Sequence, residues 1–587
     1  MSELLLLPHP RRLERLPGRG PERDAAPATR LRRSLGREAF TLTLDGRGAW
    51  IEHGDAAALR YAHAALDQLR EQSAERLPAL RIEDSPDFAL RGYLLDVSRD
   101  RVPTRETLEH IVERMALVRL NHLQLYVEHT FAYPAHQVVW RDASPLSAED
   151  VRWLDKLCAA HGIELCANQN TFGHMGRWLA HDAYRARAEC PDGFTTRSGA
   201  KLAPGCLAPT PANADLALSL CRELLSHHKS KRINIDCDET FELGRGASAR
   251  DVAARGKARV YWEHLLRIAN PLRESGCEVL FWGDVLREHP DLVLELPREG
   301  MTALVWHYER PFETPPLPPG VLPLLAEFGI SERSFRGFSV QTEAFAAAGL
   351  PFWVCPGTST WNSFLGRWTN ARENLRDAAS VGLARGARGF LITDWGDNGH
   401  HQPPSASWLP LCAGAALAWC GAANRELPLA ALLDRFVFRD EARVLGELAI
   451  SLADAYQGTG LECVNGSPLF TALVRGGLLG SSGRADAERL EATLASLDSA
   501  LARLARARST ARDGRQVKRE LGAAARLARQ GAWRIARNAG LPAPDDAALR
   551  DDLVDAIARQ RAAWLARSRP GGLADSLARL EAALGRN

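Results

Sequence analysis

From Ala89 onward, short apolar runs alternate with stretches whose apolar residues recur at helical spacing. Strand-like runs fall at Ala89–Val97, His122–Glu128, Ile163–Asn168, Ile233–Asp238, Val279–Trp282, Ala303–Trp306, Phe352–Cys355 and Phe390–Thr393. Between them lie helical patterns, among them Arg105–Val118, Ala148–His161, Ala214–His228 and Tyr261–Glu274. The runs are almost continuously apolar, as expected of parallel strands covered on both faces. Eight of them predict an α/β chain with a (β/α)8 TIM barrel over residues 89–421, with a doubly wound open sheet as the alternative. Residues 1–88 mix strand-like runs (Phe40–Leu44, Ala49–Glu52) with one amphipathic helix near Ala56–Glu75, a small α/β domain closing at Asp84-Ser85-Pro86. Residues 422–587 turn rich in Ala, Leu and Arg with helical periodicity, as in Asp486–Arg506 and Val517–Arg537, and predict an all-α region.

Polar residues decide between barrel and open sheet. Strand after strand ends in Asp, Glu, Asn or Trp: Asp96, Glu128, Asn170, Asp238-Glu239, Trp282 with Asp284, Trp306 with Tyr308, and Trp395 with Asp397. Barrel enzymes carry their active sites at the C-terminal strand ends. The densest cluster is Asp236-Cys237-Asp238-Glu239, after Arg232-Ile233-Asn234-Ile235. Crowded carboxylates repel one another, so one can keep a proton while its neighbour stays ionised. Strand alternation would put Asp236 and Asp238 on one face, with Glu239 arriving as the chain turns out of the strand. Indole faces suit the C–H faces of a pyranose ring, and Trp282, Trp306, Trp361 and Trp395 are candidates for the walls of a sugar pocket.

Composition narrows the classes. With 74 basic against 72 acidic residues, the chain gives no electrostatic support for a nucleic-acid or membrane partner. The first apolar run, Leu4–Leu7, lacks a basic start, and no stretch was expected to reach the roughly 18–20 apolar residues of a membrane span. Eleven cysteines without a Cys-x-x-Cys pair point to reduced core residues of a cytoplasmic protein, with no metal site or cofactor expected. The helical C-terminal region leaves a homo-oligomer open.

Several motifs together resemble glycoside hydrolase family 20, the β-N-acetylhexosaminidases. They are the run from Ala89-Leu90-Arg91-Gly92 through Leu95-Asp96-Val97-Ser98-Arg99, then Asn121-His122-Leu123-Gln124-Leu125, Phe172-Gly173-His174 and Asp238-Glu239. The resemblance extends over residues 1 to about 420 and does not cover the helical region. It implies exo-cleavage of terminal β-linked N-acetylhexosamine from a small oligosaccharide or glycoconjugate, retaining and substrate-assisted. On the same basis Asp238 would orient the substrate's 2-acetamido group and Glu239 would be the acid and base. Arg91 and Asp397 would bind hydroxyls, and Trp395 would form the pocket floor. Trp282 and Trp306 would surround the acetamido group, Tyr308 would donate from the rim, Glu128 would belong to the substrate site, and His174 would tune the acid. The chain departs from the family's common pattern at Glu128-His129, at Asn170 and at Asp236, which stands where Gly is usual.

Three other readings have sequence discriminants. A metal-dependent barrel would want His-x-His after the first strand, where Asp96-Val97-Ser98 stands. A family 18-like glycosidase would space its acids as Asp-x-Asp-x-Glu, whereas Asp238 and Glu239 are adjacent. A carbohydrate-binding or scaffolding protein on the same barrel would have no need of both acids.

Overall fold

The computed structural model of the protein describes residues 4–328, 330–477 and 481–586. Its N-terminal part is a five-stranded sheet of β1 (Arg12–Arg15), β2 (Ala28–Leu31), β3 (Phe40–Asp45), β4 (Gly48–His53) and β5 (Leu80–Asp84), ordered β1-β5-β3-β4-β2. Helix α1 (Ala56–Arg70) covers one face of it, placing Ala58, Ala62, Leu66 and Leu69 in the core. Asp55 caps this helix by accepting from the Ala58 N–H.

The barrel follows. Strands β6 (Leu90–Asp96), β7 (His122–Tyr126), β8 (Glu164–Asn168), β9 (Arg232–Asn234), β10 (Glu278–Trp282), β11 (Met301–Trp306), β12 (Phe352–Cys355) and β13 (Gly389–Asp394) pair in parallel in that order, and β13 closes on β6. Crossover helices include α2 (Arg105–Leu117), α3 (Ala148–Ala160), α4 (Pro211–Leu225), α5 (Lys257–Glu274), α6 (Val321–Leu325) and α7 (Trp368–Ala384). Their starts carry local signals: Ser147 and Asp150 form a capping box on α3, and Thr210 caps α4 ahead of Pro211. The open-sheet alternative is thereby excluded. The barrel interior is partly polar, since the Gln124 Oε1 accepts from the Asn168 and Asn234 side-chain amides.

Helix α8 (Pro404–Asn424) completes the barrel and continues past residue 421. By length and composition it could cross a membrane, contrary to the expectation that no stretch would qualify. It is largely buried instead, packed on α7, β6 and β13 and covered from outside by α9 (Leu445–Ala453) and α11 (Gly514–Asn538). Helix α10 (Ala487–Leu504), helix α12 (Asp546–Leu565) and helix α13 (Leu573–Glu581) complete the helical region. Much of this region joins the barrel's own core cluster. A buried triad, Arg567 with Asp513 and Glu520, ties it together, and Arg114 of α2 reaches the same Asp513 at 2.6 Å.

Candidate active site

Strand β9 is short because its last residue turns the chain. The Asn234 side-chain oxygen accepts from the Asp236 N–H, and Asp236, Cys237 and Glu239 then adopt positive φ of 55°, 66° and 48°. Such conformations cost a non-glycine residue on the order of 1–3 kcal/mol each and gather at functional sites. The alternation expected for Asp236 and Asp238 is lost for the same reason: the strand ends before either. Asp236 turns inward, where one oxygen accepts from the Trp282 Nε1–H at 2.7 Å and the other is buried without a partner. Burial first, and Asp238 next, hold its carboxyl well above the usual carboxylate range.

Asp238 and Glu239 meet at one nitrogen. The His174 Nε2 lies 3.3 Å from Asp238 and 3.2 Å from Glu239. His174 reaches them because Gly173 lets two loops touch: a Cβ there would sit 2.2 Å from the Asp238 carbonyl oxygen. Arg99 donates to the His174 Nδ1 at 3.1 Å, and a guanidinium has only donors, so the imidazole proton sits on Nε2 and faces both carboxylates. Burial lowers the His174 pKa, yet Asp238 and Glu239 carry it upward overall; a second proton on Nδ1 would have to displace Arg99. Burial likewise raises the Asp238 carboxyl, but His174 and Arg99 outweigh it, and the net direction is down. Asn170 also faces Asp238, its amide 3.4 Å away, and holds the Tyr126 hydroxyl at 2.9 Å. Behind Glu239, Asp284 accepts from its backbone N–H at 3.0 Å. Burial and the neighbouring Asp238 push the Asp284 carboxyl up to about 7.

These acids open onto a cleft of about 370 Å³ walled by Trp282, Trp306, Tyr308, Trp361 and Trp395, a volume within the range of small-molecule sites. Trp395 lies 6.0 Å from Trp282 and 6.4 Å from Tyr308, and Trp306 stacks on Tyr308 at 5.0 Å. Arg99 lies over Trp395 at 5.2 Å, with Asp397 3.8 Å from its guanidinium at the cleft's polar edge. Asp96 anchors this edge by accepting from the Ser98, Arg99 and Gly396 N–H groups and from the Arg99 side chain.

Two expected site residues are placed differently. Arg91 is the second residue of β6, at the opposite end of the barrel, and is fully buried. Its guanidinium binds Glu38, the Tyr61 hydroxyl and the Phe88 carbonyl, and lies 5.0 Å over Trp419. It fastens the small domain to the barrel floor and cannot touch a ligand in the cleft. The arginine beside the two acids is Arg99, the last residue of the same sequence run; Arg287 also lines the cleft. Glu128 is outside the aromatic cleft, 3.5 Å from the Arg99 Nε and accepting from the Tyr126 hydroxyl, and with Arg99, His174 and Glu239 it lines a pocket of its own beside the acids. The sequence reading also missed the helical region's contribution. Asn465 enters the cleft and accepts from the Trp361 Nε1–H at 2.7 Å, its own N–H held by Glu309, which is paired with Arg367. Nothing in the local sequence around Asn465 signals this.

Comparison with known proteins agrees with this geometry. Residues 88–314 match the description "Glycosyl hydrolase family 20, catalytic domain", and residues 6–85 match that family's domain 2, together over half of the chain. A protein of Akkermansia muciniphila named beta-hexosaminidase is 28% identical over 26% of this chain and 34% of its own length. Hexosaminidase D of Bos taurus is 22% identical over 47% of this chain and 75% of its own. The chain therefore spans about a third and three quarters, respectively, of these two relatives. Among solved structures, the Flavobacterium johnsoniae chitobiase aligns with a TM-score of 0.56 at 14% identity, covering 94% of this chain and 95% of its own. The beta-N-acetylhexosaminidase of Bacteroides fragilis aligns at 0.54 with 16% identity, over 71% and 91%. At these identities the structural likeness speaks for the fold, while the two family matches span both the small domain and most of the barrel: the chain belongs to glycoside hydrolase family 20.

Proposed function

We propose that the protein is an exo-acting β-N-acetylhexosaminidase, removing terminal β-linked N-acetylhexosamine with retention, through attack by the substrate's own 2-acetamido oxygen. The observation that carries this is the convergence of Asp238 and Glu239 on one nitrogen of His174. Two carboxylate oxygens 3.3 and 3.2 Å from one nitrogen lie at most about 6.5 Å apart, the lower edge of the roughly 6.5–9.5 Å at which an inverting pair holds a water. Asp238, held ionised by His174 and Arg99, would accept from the acetamido N–H and offset the positive charge of the oxazolinium intermediate. Glu239 would protonate the leaving oxygen and then draw a proton from the incoming water. Trp282, Trp306 and Trp395 would enclose the sugar and its acetamido group, Tyr308 would hydrogen-bond the acetamido oxygen, and Arg99 with Asp397 would take the ring hydroxyls. The ten buried and unpaired cysteines, with Cys463 half-buried, support a reducing compartment as the place of work.

The test is the ratio of kcat/KM for aryl 2-acetamido-2-deoxy-β-glycosides over the matching 2-hydroxy glycosides with one leaving group. Removing the acetamido group deletes the reacting atom, so a ratio of at least a thousandfold is expected. A ratio within about tenfold, roughly 1.4 kcal/mol, would mean a different nucleophile.

A further inference from the structure

The cleft does not end at the tryptophans. Beyond Trp306 its wall is built by the connection from β11 to β12, residues 307–328 and 330–337, and the outer part of this wall is largely aliphatic. Leu317, Val321, Leu325 and Ile330 are half-buried and line the cleft, with Phe335 buried beneath them. Prolines 315, 316, 318 and 319 flank Leu317 and restrict the backbone that presents it. The side of the sugar on which this wall stands is fixed by the acid. Phe241, two residues after Glu239, packs edge-on against Phe328 of the same connection at 5.1 Å, and Arg245 pairs with Glu327 at 2.9 Å. The aliphatic wall is therefore joined to the loop that carries Glu239, where the leaving group departs.

Several polar groups on this side are already paired, and the unpartnered Arg287 Nε and His307 Nε2 are buried away from the cleft surface. Arg287 donates to the Gln341 side-chain oxygen at 2.6 Å, the Gln341 amide donates to the Ser334 carbonyl, and the Ser334 hydroxyl accepts from the Ser331 N–H. A second sugar seated here would have to leave hydroxyls unpaired or break these bonds, and either is costly in a half-buried cleft. An alkyl or aryl group needs no such partner and gains from each methylene removed from water.

We infer that the leaving-group side of this cleft is an apolar aglycone subsite, and that the enzyme acts on N-acetylhexosaminides of hydrophobic alcohols or lipid-like aglycones in preference to those of a further sugar. The inference rests on the hexosaminidase reading above.

A wild-type series of methyl, butyl, hexyl and octyl 2-acetamido-2-deoxy-β-glucosides tests it. Their leaving alcohols have nearly the same basicity, so Glu239 does the same work for each. Every methylene that enters the cleft should raise kcat/KM about fourfold until the wall is covered. The butyl glycoside should then exceed the methyl by tenfold or more, and should exceed the N-acetylglucosaminyl disaccharides. Val321→Asn and Leu325→Ser should each collapse the octyl-to-methyl ratio towards one. Inhibition by non-hydrolysable alkyl thioglycosides of the same lengths reads the subsite in wild-type protein, whatever the variants do. A flat or falling series with a disaccharide preferred tenfold would overturn the subsite while leaving the hexosaminidase assignment standing. Failure to turn over even the 4-nitrophenyl N-acetylglucosaminide would overturn both.

Discussion

At the scale of single residues, the site gives its two adjacent acids different surroundings. Asp238 has His174, Asn170 and Arg99 around it, whereas Glu239 has one imidazole and an Asp284 that is itself near its titration point. Glu239→Gln should lose activity severely on substrates with poor leaving groups and far less on those with very good ones, because the latter need little protonation. Equal losses across a leaving-group series would remove Glu239 from that role. Asp284 gives a pH prediction. Its folded-state pKa is raised from 3.8 to about 7, so its proton is held more tightly in the fold than in the unfolded chain. The stability it contributes is full below about pH 4 and is lost as pH rises through 7. Above that range it becomes an anion beside Glu239, and a neighbouring anion disfavours a second negative charge on the proposed acid. Asp284→Asn should flatten the fall in Tm between pH 5 and 7 and move the alkaline limb of kcat/KM to lower pH. An unmoved limb would show that Asp284 only anchors the backbone.

At the scale of elements, one strand and the chain just beyond it carry two arginines with opposite duties. Strand β6 holds Arg91 as its second residue, at the barrel floor, and the chain beyond the strand delivers Arg99 to the mouth. Arg91→Ala leaves Glu38 and Tyr61 without their cation and should destabilise the fold by about 3–5 kcal/mol, as breaking a buried pair does, while the surviving folded protein keeps its KM. Arg99→Ala should do the reverse: a small change in Tm and a loss of at least a hundredfold in kcat/KM. Urea melts and steady-state kinetics on both variants decide it. The same strand shows what was legible in the sequence. All eight strands were readable within a few residues, because apolar continuity is a local property. The placement of Arg91 in the pocket was not correct, and strand polarity alone argues against it: a residue at the start of a barrel strand lies at the face away from the site. The reading of Asp236 and Asp238 as alternating strand residues failed because β9 stops at Asn234, and the bond that stops it, from the Asp236 N–H to the Asn234 side chain, carries no sequence signature.

At the scale of the whole molecule, the site is closed from outside the barrel. Asn465 holds Trp361, and on the other rim Ser576 of α13 donates to the Gly399 carbonyl in the loop that bears Asp397. Long-range contacts of this kind have no periodicity, which is why the helical region read only as an appendage. Asn465→Leu removes the partner of a buried indole N–H, at about 1–3 kcal/mol. We expect a roughly tenfold or larger fall in kcat/KM with the helical content unchanged by circular dichroism; kinetics like wild type would show that Trp361 needs no such support.

Helix α8 gives this architecture a consequence in time. It is among the most apolar segments of the chain, and the helices that cover its outer side, α9 and α11, come after it. A ribosome adding about 5–20 residues per second completes α8 well before α11, which ends at Asn538. For on the order of ten seconds the nascent barrel therefore presents a bare greasy helix to its surroundings. Chains released early, by a premature stop or by protease nicking after Asn424, should be held by chaperones or lost to aggregation, however sound their catalytic residues.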